Sequence, residues 1–322
     1  MSSQSASRKP TAALHPRNRH QGRYDFKTLG KLRPELLEYL IPGKKHNLTL
    51  DFTNPTAVKA LNRALLQHHY GVQDWDIPPG YLCPPVPGRA DYVHALADLI
   101  GESHDGQIPR GPTLQGLDIG TGANLIYPLI GNRDYGWRFV GVDIDAPALA
   151  NARRIIDGNP SLADQIELRL QPDNDKLLHN IVGTGERFDF TLCNPPFYPD
   201  AQTARQANKR KWRNLEEQHG KQLTPHQSFG GQASELYCSG GEIGFLGRLV
   251  KESSEYASSV FWFSSLVSKG ANLDELQQQL RDLGARDIRV VPMTQGLKHS
   301  RMLAWTFLDK KQRRAWRKAR WS

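Results

Sequence analysis

From residue 113 to residue 308 the chain alternates between short β-branched or aromatic runs and amphipathic helical runs. The apolar runs have strand length, and most intervening segments are long enough to cross back over a sheet. Candidate strands are 113–120 (TLQGLDIG), 137–144 (WRFVGVDI), 166–170 (IELRL), 188–193 (FDFTLC), 259–265, 287–292 and 301–308. Helical stretches are expected at 123–130, 147–156, 175–181, 243–256 and 273–283. Strands joined in this way predict an α/β fold, with a mostly parallel seven-stranded sheet covered by helices on both faces. One connection breaks the pattern. About 64 residues follow Cys193 before the next strand, far more than a βα link requires. That insertion, placed at about 195–257, is basic in its first half and Gly-rich in its second, and is a candidate substrate loop.

Open parallel sheets bind ligands beyond the C-terminal ends of their strands. The first strand ends LDIGTGAN (117–124), where Gly120 offers a tight turn and Gly122 allows close backbone approach. Leu125 stands where a dinucleotide fingerprint has its third glycine, so a cofactor without a pyrophosphate fits better. Asp118 and Asn124 flank the same turn and, with Asn194 on the fourth strand's end, are further candidate cofactor contacts. The second strand ends GVDID, placing Asp143 23 residues beyond Gly120, suited to a pair of ribose hydroxyls. Asp145 is expected to cap the following helix, leaving Asp143 free, and Gln171 follows the third strand near an adenine ring.

The fourth strand runs into Asn194-Pro195-Pro196-Phe197. Two prolines end a ladder because neither supplies an N–H. An aromatic exocyclic amine is a poor nucleophile, since its lone pair is delocalised into the ring. The Asn194 side-chain oxygen and the Pro195 carbonyl are two acceptors for its hydrogens, and Phe197 can stack on the base. Read alone, such a stretch is usually a turn; the upstream glycines and Asp143 point to a site.

The net charge of +9 is concentrated in three places: residues 1–33 carry net +7, residues 205–213 carry +5, and residues 310–322 carry +7. Such runs are often solubilising. Here Trp212, Trp316 and Trp321 lie among the charges, which suggests RNA, with Arg17, Arg19, Arg23, Arg205, Lys209, Arg210, Lys211 and Arg213 as candidate contacts. Residues 1–23 read as a disordered basic arm, 24–88 as a small RNA-binding module ending in a proline-rich linker, 89–309 as the main domain, and 310–322 as a basic tail. Helices are expected after Asn54-Pro55 and over ADYVHALADLI. Cys83, Cys193 and Cys238 form no CxxC pair, and no membrane span, secretory h-region, GxxxxGK[ST], HExxH or GxSxG is present. These features point to a cytoplasmic protein without metal.

LDIGTGANLIYPLIG, GVDID and CNPPFY together resemble the class I S-adenosylmethionine-dependent methyltransferases of the adenine-N6 group, with a Rossmann-like domain. HPRNRHQGRYDF, LDFTNPTAVKALNRALL, PGRADYVHALADLIG, GGEIGFLGRLVKES and QGLKHSRMLAWTF extend the resemblance to the ribosomal RNA large subunit methyltransferase F family, over roughly residues 14–309. It implies methylation of a single adenine of 23S rRNA at N6; the RNA is expected free or in an early assembly intermediate, and the protein a monomer. It also implies that Gly120, Asn124 and Asp143 hold S-adenosylmethionine, that Arg89 reaches its carboxylate, and that Asn194, Pro195 and Phe197 hold the base. Methylation of guanine N2, of a protein glutamine, or a non-catalytic RNA-binding assembly role remain alternatives.

Overall fold

In a computed structural model of the protein, residues 14–43, 47–206, 233–295 and 298–321 are described. Seven strands form one sheet: β3 (Gln115–Ile119), β4 (Arg138–Asp143), β5 (Ile166–Leu170), β6 (Phe188–Cys193), β7 (Val260–Val267), β8 (Asp287–Gln295) and β9 (Lys298–Thr306). Their order is β5-β4-β3-β6-β7-β9-β8, parallel except for β9, which runs antiparallel to both neighbours. The order reverses between β3 and β6, so a crevice opens above the ends of these two strands. All eight residues of β7 are buried, as expected of a strand covered on both faces.

Helices α3 (Val86–Glu102) and α4 (Ile126–Tyr135) belong to one core layer with Phe139, Phe190 and Trp262. Helices α6 (Gly241–Glu255) and α7 (Asn272–Asp282) belong to the other, with Phe188, Phe263 and Trp305; α5 (Ala146–Asp157) leads towards β5. An N-terminal module precedes them. It comprises α1 (Phe26–Leu32), a 3₁₀ turn, the β1 (Leu40–Pro42) and β2 (Leu48–Leu50) hairpin, and α2 (Pro55–Leu65), around a small core of Leu29, Leu36, Leu50 and Leu61. Asn54 caps α2 by accepting from the Thr56 and Ala57 N–H groups, with Pro55 at the first position.

Four expectations need correction. The helix expected at 175–181 does not form. The N–H groups of Leu177, Leu178 and His179 instead donate to the buried Glu252 carboxylate, which holds the segment in turns. The proline-rich stretch 76–89 is no free linker: α3 begins at Val86, and Ile77, Cys83 and Val86 are buried. Residues 14–23 of the basic arm are packed on the domain and not disordered, and residues 1–13 lie outside the described residues. The tail is a helix, α8 (Lys310–Arg320), with Trp316 and Trp321 buried in the core, where they cannot stack on bases.

The ordered arm lies on α3 and α4. Asn18 donates to Asp91, Arg17 to Asp98 and Tyr135, Arg19 to Asp134, and His20 meets the Tyr70 hydroxyl at 2.9 Å. Burial lowers His20 to about 3 and His69 and His94 to about 4, helped by neighbouring imidazoles. These histidines fold neutral, whereas in the unfolded chain they gain protons below about 6.5. Stability from these groups is therefore full above pH 6.5 and declines as pH falls from 6.5 towards 4, by up to about 1.4 kcal/mol per pH unit for the buried His20 and by less for the half-exposed His69. Denaturation midpoints measured from pH 7 to pH 4.5 should fall, and His20→Asn should shallow the decline; an equal slope in the variant would rule His20 out.

Candidate active site

The turn after β3 and the end of β4 are tied together. Gly120 and Gly122 adopt φ of 77° and 64°, and the N–H groups of Gly120 and Thr121 both donate to the Val142 carbonyl. Asp143 Oδ2 accepts from the Gly122 N–H at 2.8 Å and Oδ1 from the Asp145 N–H at 3.0 Å. Burial raises the Asp143 carboxyl above its ordinary range, opposed by those two N–H groups. Leu125 takes a left-handed φ of 53° where glycine was missing from the motif. Its fully buried side chain offsets the strain, and Asn124 Oδ1 accepts from the Ile126 N–H to begin α4. Asp145 occupies the N-cap position of α5 without capping it; its side chain accepts from the Tyr81 hydroxyl at 2.8 Å.

Below this turn Asp118 is fully buried. Oδ2 accepts from Thr121 Oγ1 at 2.8 Å, Oδ1 has no partner among the described residues, and burial pushes its carboxyl up to about 7. It lies beneath the floor of the cleft, not among the residues that line it. Gln171 does line the cleft, but its amide donates to the His179 carbonyl at 2.7 Å and accepts from the Asp173 N–H.

The cleft encloses about 1050 Å³ of space, mouth included, and brings Arg89, Gly120, Gly122, Asn124, Asp143, Gln171 and Asn194 together. Asn194 follows a braced strand end. Tyr92 Oη meets Ser264 Oγ at 2.9 Å, Ser264 Oγ donates to the Thr191 carbonyl, and the Cys193 N–H donates to Tyr92. Arg89, in the first turn of α3, donates through Nη1 to both Tyr127 Oη and Asn194 Oδ1 at 2.9 Å. The guanidinium thus joins the two halves of the cleft and orients the Asn194 amide. Pro195 is buried and Phe197 half-buried; neither lines the cleft, although Pro196 does.

Residues not anticipated from the pattern also line it. Leu82 and Pro84 come from the proline-rich stretch, and Glu235, Tyr237, Cys238, Phe245 and Arg248 come from where the insertion returns. The neck of that insertion is zipped: the Phe197 and Tyr198 N–H groups donate to the Leu236 carbonyl, and the Cys238 N–H to the Tyr198 carbonyl. Glu235 accepts from the Leu82 N–H at 3.0 Å, joining the two unanticipated walls. The glycines of GGEIGF were the sequence signal for this return; the wall at Leu82 had none.

Of the proposed RNA contacts, Arg17, Arg19, Arg23 and Arg205 are all exposed, and Arg17 and Arg19 are in addition ion-paired with Asp98 and Asp134. Lys209, Arg210, Lys211 and Arg213, with Trp212, lie outside the described residues. Among the described residues no cluster of three or more His, Cys, Asp or Glu could hold a metal, and no helix is long and apolar enough to cross a membrane.

Comparison with known proteins gives this geometry a context. The chain is 57% identical over 317 residues to ribosomal RNA large subunit methyltransferase F of Pseudomonas aeruginosa, covering 98% of this chain and 94% of that protein. It is 53% identical to the protein of that name from Stutzerimonas stutzeri, covering 99% and 98%. The human METTL16 catalytic domain, solved with a MAT2A 3′UTR hairpin, superposes with a TM-score of 0.75 at 29% identity over 92% of this chain and 96% of that one. The N-terminal domain of human METTL16, solved in complex with SAH, gives 0.72 at 28% identity, covering 92% and 100%. Residues 8–309 match the RNA methyltransferase family along nearly the whole sequence, glycine turn, Asn194 loop and insertion included, and the chain belongs to that family.

Proposed function

We propose that this chain transfers a methyl group from S-adenosylmethionine to the N6 amine of a single adenine in 23S ribosomal RNA, acting in the cytoplasm as a monomer. The observation that carries this reading is the shared cleft in which Asp143 and the Gly120–Gly122 turn stand opposite Asn194. The residues fit the methyl donor. Each Asp143 oxygen accepts one backbone N–H and keeps a lone pair for a ribose hydroxyl. Ile144 and Leu177 offer apolar walls for a purine, and Arg89 offers a guanidinium to a carboxylate. When bound, the donor supplies an electrophilic methyl group and leaves as a neutral thioether.

The chain's own residues prepare the acceptor. Asn194 Oδ1 and the Pro195 carbonyl accept the two hydrogens of the amine, which localises its lone pair and stabilises the positive charge that develops on nitrogen. Phe197, at the neck of the insertion, supplies a ring against which an extruded base stacks. No general base is required, because the alkylated nitrogen is acidic enough to lose its proton to water. Arg23, Arg205 and the basic half of the insertion, Lys209, Arg210, Lys211 and Arg213, meet the phosphates.

Unmodified 23S rRNA incubated with the chain and labelled S-adenosylmethionine should yield labelled N6-methyladenosine at one position. N2-methylguanosine would move the assignment to guanine, and label in protein would overturn it. Asp143→Ala should weaken calorimetric S-adenosylmethionine binding by about 10- to 100-fold, the worth of a charge-assisted hydrogen bond; unchanged binding would remove Asp143 from the cofactor site.

A further inference from the structure

We infer that α8 carries a second RNA-binding surface, at the opposite edge of the domain from the active site, so that the substrate is a structured RNA extending well beyond the target base. This rests on the RNA reading above and adds a location and a size to it.

The seven cations of α8 divide into two sets. Arg313, Arg317 and Arg320 are half-buried and paired with Asp287, Asp105 and Asp189 at 3.2, 3.6 and 3.0 Å. Lys310, Lys311, Arg314 and Lys318 are exposed. They fall on one stripe running about 12 Å along the helix at 1.5 Å per residue. Lys310, Lys311 and Arg314 have no carboxylate within ion-pairing distance among the described residues.

A solvated basic face is the ordinary explanation for such a stripe, but a solubilising tail needs no fixed mounting. This helix has one. Asp309 and Gln312 form a capping box, and Trp316 and Trp321 are buried. Both indoles and the Arg320 guanidinium donate to the fully buried Asp189. The protein thus holds like charges in a fixed row, and their mutual repulsion is relieved by a row of phosphates.

The row cannot serve the nucleotide in the cleft. Asp189 is the second residue of β6, and Asn194 follows its last. Five residues at about 3.3 Å each separate these positions by roughly 16 Å. Arg320 also reaches the Thr113 carbonyl, ahead of β3, so α8 anchors at the N-terminal ends of the strands while the cleft opens at their C-terminal ends. An RNA touching both must span the domain.

The test is the variant K310Q/K311Q/R314Q/K318Q, compared with the unaltered chain on full-length 23S rRNA and on a short hairpin carrying the target adenine. The slope of log affinity against log salt on the long RNA should flatten by about 2 to 3. The ratio of kcat/KM on long to short RNA should fall, with melting temperature and S-adenosylhomocysteine affinity unchanged. An unchanged slope, or equal loss on both RNAs, overturns the inference. Should the quadruple variant melt early, K310Q/K311Q and R314Q measured separately decide on the same criteria. Failure of the underlying reading shows separately, as an unaltered chain that leaves no label in RNA.

Discussion

Replacing Asn194 by alanine is expected to lower turnover by about 10²- to 10³-fold while changing S-adenosylmethionine affinity by only a few-fold. The lost acceptor acts where charge develops, so its absence is felt in the transition state more than in either ground state. The Arg89 contact sharpens the expectation, because Asn194 Oδ1 also accepts from that guanidinium. Alanine frees Arg89 to meet a carboxylate, which favours cofactor binding if it changes it at all. Asn194→Asp should behave differently. An aspartate there forms an ion pair with Arg89 and holds the guanidinium against the base side of the cleft. Turnover then falls as far as in the alanine variant, and cofactor affinity falls too. Calorimetry with S-adenosylhomocysteine and single-turnover methylation on the same RNA separate the two effects. Loss of cofactor binding in the alanine variant would show that Asn194 belongs to the cofactor half alone.

The parts of this site that were legible in the sequence are those where backbone geometry demands a residue type. A left-handed turn after β3 calls for Gly120 and Gly122, and a strand that stops at the cleft shows as Asn194-Pro195-Pro196. Strand boundaries of β5 and β6 coincide with the expected runs: β6 is buried along its whole length and marked by continuous hydrophobicity, whereas β5, at the sheet edge, is marked by the alternation of IELRL. What was not legible depends on side chains meeting across long separations. Arg89 on Asn194, Glu235 on the Leu82 N–H, and Glu252 on the turn at Leu177 are each joined over more than seventy residues. No local period marks such pairs. The helix expected at 175–181 failed for this reason: its N–H groups found a buried carboxylate, a partner no window of sequence contains. Charge runs misled in a related way. Lys and Arg counts locate a basic segment but do not separate Arg17 and Arg19, each already paired with a carboxylate, from Arg23 and Arg205, which have no ion pair among the described residues.

The largest stability loss is expected from Asp189→Ala. This carboxylate is fully buried and accepts from the Gln115 N–H at 2.8 Å, from Trp316 and Trp321 Nε1 at 2.7 Å each, and from Arg320 at 3.0 and 3.1 Å. Removing it leaves four groups without their acceptor, one of them a cation, at a cost of about 3–5 kcal/mol. The strand itself survives, since β6 remains paired with β3 and β7. The loss falls on α8, whose indoles cover Phe261. Thermal unfolding should show a marked fall in midpoint, with hydrogen exchange accelerated first in residues 310–321. Asp189→Asn keeps one acceptor oxygen but turns an NH₂ towards the remaining donors, and belongs between the two. If Asp189→Ala melts like the unaltered chain, α8 is held by its indoles alone. If it melts early yet methylates a short hairpin normally below its midpoint, the clasp serves the helix and not the cleft. The same energetics explain why deleting residues 310–322 is the wrong probe of RNA binding: it strips Trp316 and Trp321 from the core together with the exposed lysines, and so mixes lost stability with lost charge.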